Sequence, residues 1–172
     1  TLATNIASYF SIKNKKVTLA DCDPQASSQD WLNLRSDKQS SIYKAVLTQS
    51  NLKVSKDTDI LIMDTPAGVT DKRLSKFLSQ AQTMIMPVIA SPIDIRAAEH
   101  FIEKLFSLKT AINHKIKIAT VANRVREDTL IAAKLEYYLD KLKLPSGKRL
   151  PFVTMLRQSQ NYIHAAERCL SI

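Results

Sequence analysis

Short apolar segments alternate with amphipathic segments of helical spacing along almost the whole chain of 172 residues. Strands are predicted at residues 17–20, 60–63, 83–88, 116–122 and 150–153, with a weaker edge strand at 42–47. Helices of ten or more residues between consecutive strands act as crossovers, which make the strands parallel. The alternation therefore predicts an α/β fold of three layers, a mostly parallel twisted sheet with helices on both faces.

The helices are predicted at residues 1–12, 25–34, 129–144 and 159–169, with two more after Gly68 and after Ser91. In the first helix Leu2, Ile6, Tyr9 and Phe10 share one face at helical spacing. With 45% hydrophobic residues, the chain can bury one sizeable core, so residues 1–172 are expected to form a single domain. The missing initiator Met suggests a fragment whose true start lies upstream.

Composition excludes some classes of protein. No apolar run approaches the roughly 20 residues of a membrane-spanning helix. Cys22 and Cys169 are too few for a disulfide framework or a structural zinc site, which favours a reducing cytoplasm. The net charge of +9 favours acidic partners such as nucleic acid or anionic lipid. The alternative is a basic protein with no polyanionic partner.

Two acidic motifs follow predicted strands. Asp64 ends the apolar run 60–63, which suits a strand buried on both faces, and stands where open α/β sheets bind their ligands. Pro66 and Gly68 then lead into a loop able to change shape. Asp21 and Asp23 leave an earlier strand, and such a pair can bind Mg²⁺ through water and orient an attacking water. The alternative for Asp64 is an acidic residue that only ends a strand.

The motifs D-x-D-P-Q, D-T-P-A-G and N-R, each after a predicted strand, resemble those of the ParA/MinD group of deviant Walker ATPases. The opening TLATNIASYF resembles the helix directly after that family's phosphate-binding loop, K-G-G-V-G-K-T-T. The late segment TMLRQSQNYIHAAE resembles that of short partition proteins. The resemblance implies a P-loop NTPase-like fold that lacks the first strand and the phosphate loop. Cys169 and Leu170 stand where the family usually has a Gly, so this chain departs from the family's pattern at that turn.

The resemblance also implies roles for individual residues. Thr1 would be the last Thr of the phosphate loop. Asp21 and Asp23 would belong to the site around Mg²⁺ and the attacking water, with Asp23 the better candidate for orienting that water. Asp64 would hold Mg²⁺ through a water.

Three more residues would complete the nucleotide site. Pro66 and Gly68 would form the loop that responds to the γ-phosphate, and Asn123 would hydrogen-bond the adenine edge. The alternative for Asn123 is a turn residue that caps a strand. Because these 172 residues contain no glycine-rich loop, the segment alone is expected to bind ATP weakly or not at all.

The function implied by the resemblance is that of an ATPase using ATP and Mg²⁺. It would form a homodimer when ATP-bound, bind DNA without sequence preference, and be activated by a ParB-like or other partner protein. Its cargo would be a plasmid, a chromosome or another assembly, and its location the cytoplasm, on the nucleoid. Candidate DNA contacts are Arg126, Lys148, Arg149, Arg157 and Arg168, and the alternative for each is a solvated surface charge.

Other functions remain open. A membrane-surface ATPase of the MinD kind would need a basic amphipathic C-terminal helix, and none is visible up to Ile172. A non-catalytic binding module would have kept the fold and lost the nucleotide. Metal-cluster carriers on the same fold are disfavoured, because neither Cys22 nor Cys169 belongs to a paired ligand motif. Arg96 either contacts a second subunit or faces solvent.

Overall fold

A computed structural model describes residues 2–47, 52–108 and 116–172. They belong to two compact units, the first comprising Thr1–Gly68 and Gln160–Ile172, the second Val69–Ser159. Thr1 itself lies outside the described residues.

The elements of the first unit are α1 (Leu2–Ile12), β1 (Val17–Asp21), α2 (Ser27–Asn33), β2 (Ile42–Lys44), β3 (Val46–Leu47), β4 (Leu52–Lys53) and β5 (Ile60–Asp64). Those of the second unit are α3 (Asp71–Gln80), β6 (Thr83–Ile89), α4 (Pro92–Ser107), β7 (Lys117–Val125), α5 (Leu130–Lys141) and β8 (Phe152–Arg157), and α6 (Gln160–Glu167) returns to the first unit.

The sheet of the first unit has β1 at its centre, with β2 and β5 parallel to it on either side. All five residues of β1 are buried. By contrast, β5 is half-buried along its whole length, so the prediction of burial on both faces was wrong. The reason is that β5 lies at one edge of this three-stranded sheet.

Helix α1 packs through its small residues. Its buried positions are Thr4, Ala7, Ser8 and Ser11, whereas Tyr9 is 56% exposed. Small side chains on the buried face allow the helix to lie close to β1 and β5. The apolar face predicted from the sequence is therefore only partly covered.

The sheet of the second unit has the order β6-β7-β8, with all three strands parallel. Its helices bury apolar stripes against the sheet: Leu74 and Leu78 from α3, Ala98, Ile102 and Leu105 from α4, and Ala132, Leu135 and Leu139 from α5. The hydroxyl groups of Ser91 and Thr129 cap α4 and α5. The predicted α/β class with parallel strands is confirmed.

Predicted boundaries in the second unit were wrong at the ends of β7 and α5 and at both ends of β8, which runs from Phe152 to Arg157 instead of over 150–153. Strand β7 runs on to Val125, beyond the predicted end at residue 122, through a register irregularity at which Arg124 has a φ of 54°. Such a bulge lets a strand continue with a local kink. Helix α5 ends at Lys141, because the Leu150 N–H donates to the Leu142 carbonyl and closes a hairpin. The final strand therefore starts at Phe152.

In the first unit, α2 starts two residues later than predicted, because Ala26 adopts the left-handed conformation with a φ of 54°. Cys169 also adopts that conformation, with a φ of 53°, and the Leu170 N–H donates to the Ala165 carbonyl at 2.8 Å. This is the helix-ending geometry that usually employs Gly, here made by a cysteine. Among the described residues, no helix has both the length and the apolar character needed to cross a membrane.

Candidate functional site

The two acidic motifs meet at the carboxyl end of the first unit's sheet. In the register of β1 and β5, Asp21 is the partner of Asp64. One residue further, the Cys22 N–H donates to the Asp64 carbonyl at 2.7 Å. Because β1 and β5 are parallel and end together, the structure brings Asp21 and Asp64 side by side, in agreement with the single site that the resemblance implies.

The carboxylate of Asp21 accepts hydrogen bonds from the backbone of the loop that follows. It is only 8% exposed. One oxygen accepts the Asp23 N–H at 3.0 Å, and the other accepts the Gln29 N–H at 2.9 Å. A buried carboxylate with both oxygens engaged in this way fixes the loop between β1 and α2. Asp21 thus organises the loop that carries Asp23.

Asp23 lies in a tight turn at the exposed side of that loop. One of its carboxylate oxygens accepts the Gln25 N–H at 2.9 Å, and its carbonyl accepts the Ala26 N–H at 3.0 Å. The residue is half-buried, which leaves it more accessible than Asp21. The two aspartates of D-x-D-P-Q therefore have different surroundings, one inside the loop and one on it.

Ser28 is a site residue that the sequence analysis missed. It is buried in the first turn of α2, and its hydroxyl donates to the Asp64 carboxylate. The hydrogen bond links the end of β5 directly to the helix after D-x-D-P-Q. A Ser so soon after an acidic loop is an ordinary helix-start residue, so the sequence carried no separate signal for this contact.

The carboxylates suit a magnesium ion that keeps most of its waters. Mg²⁺ prefers oxygen ligands and is usually held by one or two carboxylates together with phosphate oxygens. Asp23 and Asp64 are the predicted pair. In the part of the chain that the structure describes, no group of three or more His, Cys, Asp or Glu residues could share a metal ion.

The loop after β5 is tethered at its far end. A Cβ added to Gly68 would meet no atom within 4 Å, and Gly68 does not need a left-handed φ in this conformation. Pro66, two residues earlier, is half-buried. In the second unit the Lys104 ammonium forms an ion pair with Asp71 at 2.5 Å and donates to the Val69 carbonyl at 3.2 Å.

A cavity of about 350 Å³ in the first unit borders Asp64. Ser28 and Trp31 of α2 line it on one side, and Tyr162 and Leu170 line it on the other. Trp31 donates its ring N–H to the Leu170 carbonyl at 3.4 Å. The Arg35 guanidinium lies 4.7 Å from the Trp31 ring centre, and burial lowers the pKa of Arg35.

Asn123 belongs to the second unit. It lies within β7 rather than after it, opposite Ile89 at the end of β6, and it is half-buried next to the bulge. It is thus a strand residue at the carboxyl end of β6. The prediction that it contacts adenine remains a prediction.

Four of the five basic residues predicted to contact DNA lie in two groups at opposite ends of β8 in the second unit. Arg126 and Arg157 lie where β7 and β8 end, with Arg126 donating to Gln158 at 3.0 Å and Arg157 paired with Glu127 at 3.6 Å. Lys148 and Arg149 precede β8, and this strand separates the two groups by roughly 17 Å. Arg168 belongs to the first unit.

Fold and motifs together define a class of protein. The family model described as the CobQ/CobB/MinD/ParA nucleotide binding domain matches residues 1–172, and the chain belongs to this family. Within it, the chain is similar to the maintenance of carboxysome distribution protein A of Halothiobacillus neapolitanus, with 25% identity over 152 residues, which covers 84% of this chain and 69% of that protein.

Solved structures share the fold at low identity. A Borrelia burgdorferi plasmid partition protein matches with a TM-score of 0.66 and 16% identity, covering 97% of this chain and 88% of the other. A putative plasmid partition protein from Borrelia burgdorferi B31, bound to AMPPNP, matches with a TM-score of 0.70 and 14% identity, covering 99% and 84%. The MinC:MinD cell division protein complex of Aquifex aeolicus matches with a TM-score of 0.65 and 16% identity, covering 98% of this chain and 80% of the other.

Proposed function

We propose that this chain is the nucleotide-binding domain of a positioning ATPase that binds and hydrolyses ATP with Mg²⁺. The observation that carries the proposal is that Asp21 and Asp64 lie side by side at the carboxyl ends of β1 and β5, next to the loop that carries Asp23. Two motifs distant in sequence converge there, as a site for a metal-bound triphosphate requires. The family match over residues 1–172 supports treating both units as parts of one domain.

In this proposal each carboxylate has its own role. Asp64 would help to hold Mg²⁺ through a water, and Asp23 would contribute to the same ion and help to orient the attacking water. Asp21 keeps the loop in shape, so it acts through Asp23. When bound, Mg²⁺ neutralises charge that develops on the phosphate oxygens. Thr1, Pro66 and Gly68 would contact or sense the phosphates, and Asn123 would contact the adenine.

We further propose that the ATP-bound protein is a homodimer that binds DNA without sequence preference, on the nucleoid, and is activated by a partner protein. The net charge of +9 supports a polyanionic partner. A positioning function is supported by the names of similar proteins, since one maintains carboxysome distribution and others are plasmid partition proteins. The MinC:MinD complex supports an activity that involves a partner protein.

The test compares Asp23→Asn with Asp37→Asn in the full-length protein that the gene encodes. Asp37 is an exposed aspartate of the same unit, outside the site, so the two variants lose the same charge. We expect Asp23→Asn to lower the rate of ATP hydrolysis by about 100-fold or more while binding of a fluorescent ATP analogue is retained. Asp37→Asn should match the wild type.

Two results would count against the proposal. If Asp23→Asn hydrolyses ATP at the wild-type rate, Asp23 does not orient the water. If the full-length wild type binds no ATP analogue and releases no phosphate, the chain is a non-catalytic binding module. The coding sequence before Thr1 supplies an independent check, because the proposal requires a phosphate loop of the form K-G-G-x-G-K-T there.

A further inference from the structure

The densest positive charge in the second unit lies in the segment 141–149, which we name the basic hairpin. Four of its nine residues are Lys or Arg, and none is acidic. The segment leaves α5, turns through Gly147 with a φ of 80°, and comes back toward β8. The Leu144 N–H donates to the Lys148 carbonyl at 2.8 Å, which closes the turn.

The hairpin has an apolar side and a charged side. Leu150 just after it is 2% exposed, and Leu142 and Leu144 pack against the core of the second unit. Lys143, Lys148 and Arg149 are exposed. Because side chains alternate along an extended chain, anchoring the leucines inward turns Lys143 and Arg149 toward solvent.

Lys143 and Arg149 are direct partners in the antiparallel bridge of the hairpin. Directly opposite residues have Cβ atoms about 4.5–5.5 Å apart on the same face, and like charges in that position destabilise the pair. Among the described residues, the acidic partner of these cations is Asp140, which contacts Arg149 at 3.2 Å. The fold thus keeps two cations opposite each other, with one counter-charge that pairs with Arg149.

The basic residues where β7 and β8 end have acidic residues beside them. At the carboxyl ends of β7 and β8, Arg157 pairs with Glu127, and Asp128 is the next residue. A polyanion approaching there meets carboxylates as well as guanidinium groups. Charge balance therefore distinguishes between the predicted DNA contacts and favours Lys148 and Arg149 over Arg126 and Arg157.

We propose that the basic hairpin is the surface that contacts the phosphate backbone of DNA, through Lys143, Lys148 and Arg149. The inference rests on the proposed DNA binding and specifies where it occurs. Phosphates held between Lys143 and Arg149 would relieve the repulsion of that pair. Contact with phosphates alone also accounts for binding without sequence preference.

The experiment uses two triple variants of the full-length protein with ATP and Mg²⁺. One is Lys143→Gln, Lys148→Gln, Arg149→Gln. The matched control is Lys15→Gln, Lys38→Gln, Lys56→Gln, three exposed lysines of the first unit, so both variants lose three positive charges. Binding to 30-base-pair duplexes of two unrelated sequences is measured by fluorescence anisotropy between 50 and 200 mM KCl.

We expect the hairpin variant to bind both duplexes at least 10-fold more weakly. The slope of log affinity against log salt should fall by about two to three, roughly 0.9 for each lost phosphate contact. The control variant should keep the wild-type slope. Thermal unfolding should show the hairpin variant as stable as the wild type or more so, because the like-charge pair is gone.

The contrary outcomes separate the two proposals. If the hairpin and control variants bind DNA equally, this inference is wrong and DNA binding itself stands. If the wild type shows no salt-dependent DNA binding, both this inference and the proposed DNA binding fail. If the hairpin substitutions abolish co-sedimentation with anionic phospholipid vesicles but leave DNA binding intact, the hairpin is a membrane contact and the inference is overturned.

Discussion

The two units share one plan, a three-stranded parallel sheet flanked by helices, yet different forces hold them. In the first unit the buried apolar cluster is small, with Leu19, Trp31 and Cys169 at its centre. Hydrogen bonds to the carboxylates of Asp21 and Asp64 shape its sheet edge. The second unit has one continuous core from α3 to β8. Polar hydrogen bonds therefore shape the acidic loop of the first unit, whereas apolar packing between helices and sheet holds the second unit together.

The largest expected effect concerns the core of the second unit. Leu135→Ala should lower the free energy of unfolding by about 2–5 kcal/mol, because Leu135 is fully buried. Leu130→Ala on the same helix is the control, since Leu130 is 86% exposed. Trp31, the single tryptophan, reports on the first unit by fluorescence, and circular dichroism reports on both.

If both units fold as one domain, Leu135→Ala moves the fluorescence transition and the circular dichroism transition together. A fluorescence midpoint that stays at its wild-type denaturant concentration while the circular dichroism signal shifts would contradict the single-domain proposal.

The next effect tests the different surroundings of two aspartates. Asp21→Asn should lower the free energy of unfolding by about 1–3 kcal/mol. The reason is that an amide cannot accept both backbone N–H groups that the buried carboxylate accepts. Asp23→Asn should change stability by less than about 0.5 kcal/mol, because its one accepted N–H is compatible with an amide oxygen. Urea denaturation measures both. Equal costs would mean that Asp21 does not organise the loop.

A smaller effect concerns the tether at the start of the second unit. Lys104→Met removes the ion pair with Asp71 and the hydrogen bond to Val69, at a cost of about 1 kcal/mol. Backbone amides of residues 69–71 should then exchange hydrogen faster. Lys134→Met, an exposed position of α5, is the matched control. Unchanged exchange in Lys104→Met would show that the lysine does not hold this segment.

The smallest effect has the opposite sign. Ala26→Gly should raise stability by about 0.5–1 kcal/mol, because Ala26 has a φ of 54°, a conformation that glycine adopts without strain. Ala133→Gly, at the fourth residue of α5, should lower stability by about 1 kcal/mol. Thermal unfolding of the two variants measures the effect of the same Ala→Gly substitution on stability, once in the left-handed conformation and once in an α-helix. A loss of stability for Ala26→Gly would show that its loop is not strained.

Much of the fold could be predicted where local pattern and tertiary packing agree. The helices after Gly68 and after Ser91 were predicted correctly as α3 and α4, because amphipathic spacing and the residue types of a helix's first turn are local properties. Helix α5 was predicted to run to residue 144, three residues beyond its end at Lys141, because the hydrogen bond from Leu150 to Leu142 joins two segments whose pairing no local pattern specifies. The bulge at Arg124 was not predicted either, because it depends on how β7 pairs with β8.

The candidate site divides in a similar way. The aspartates Asp21, Asp23 and Asp64 could be predicted as site residues because a carboxylate that follows an apolar strand is a local pattern. The link from Ser28 to Asp64 joins residues 36 positions apart, so no local pattern could indicate it.

The order of apolar and polar residues alone was enough to specify the α/β class and the positions of most helices and strands, and it placed Asp21 and Asp64 each at the carboxyl end of a strand. Those properties follow from periodicity and from the rule that parallel strands end at a common edge. Only the folded chain assigned different surroundings to Asp21 and Asp23, placed Lys143 opposite Arg149, and left the apolar face of α1 partly open. Burial and cross-strand pairing depend on which segments meet in space, and that information appears only when the chain is packed.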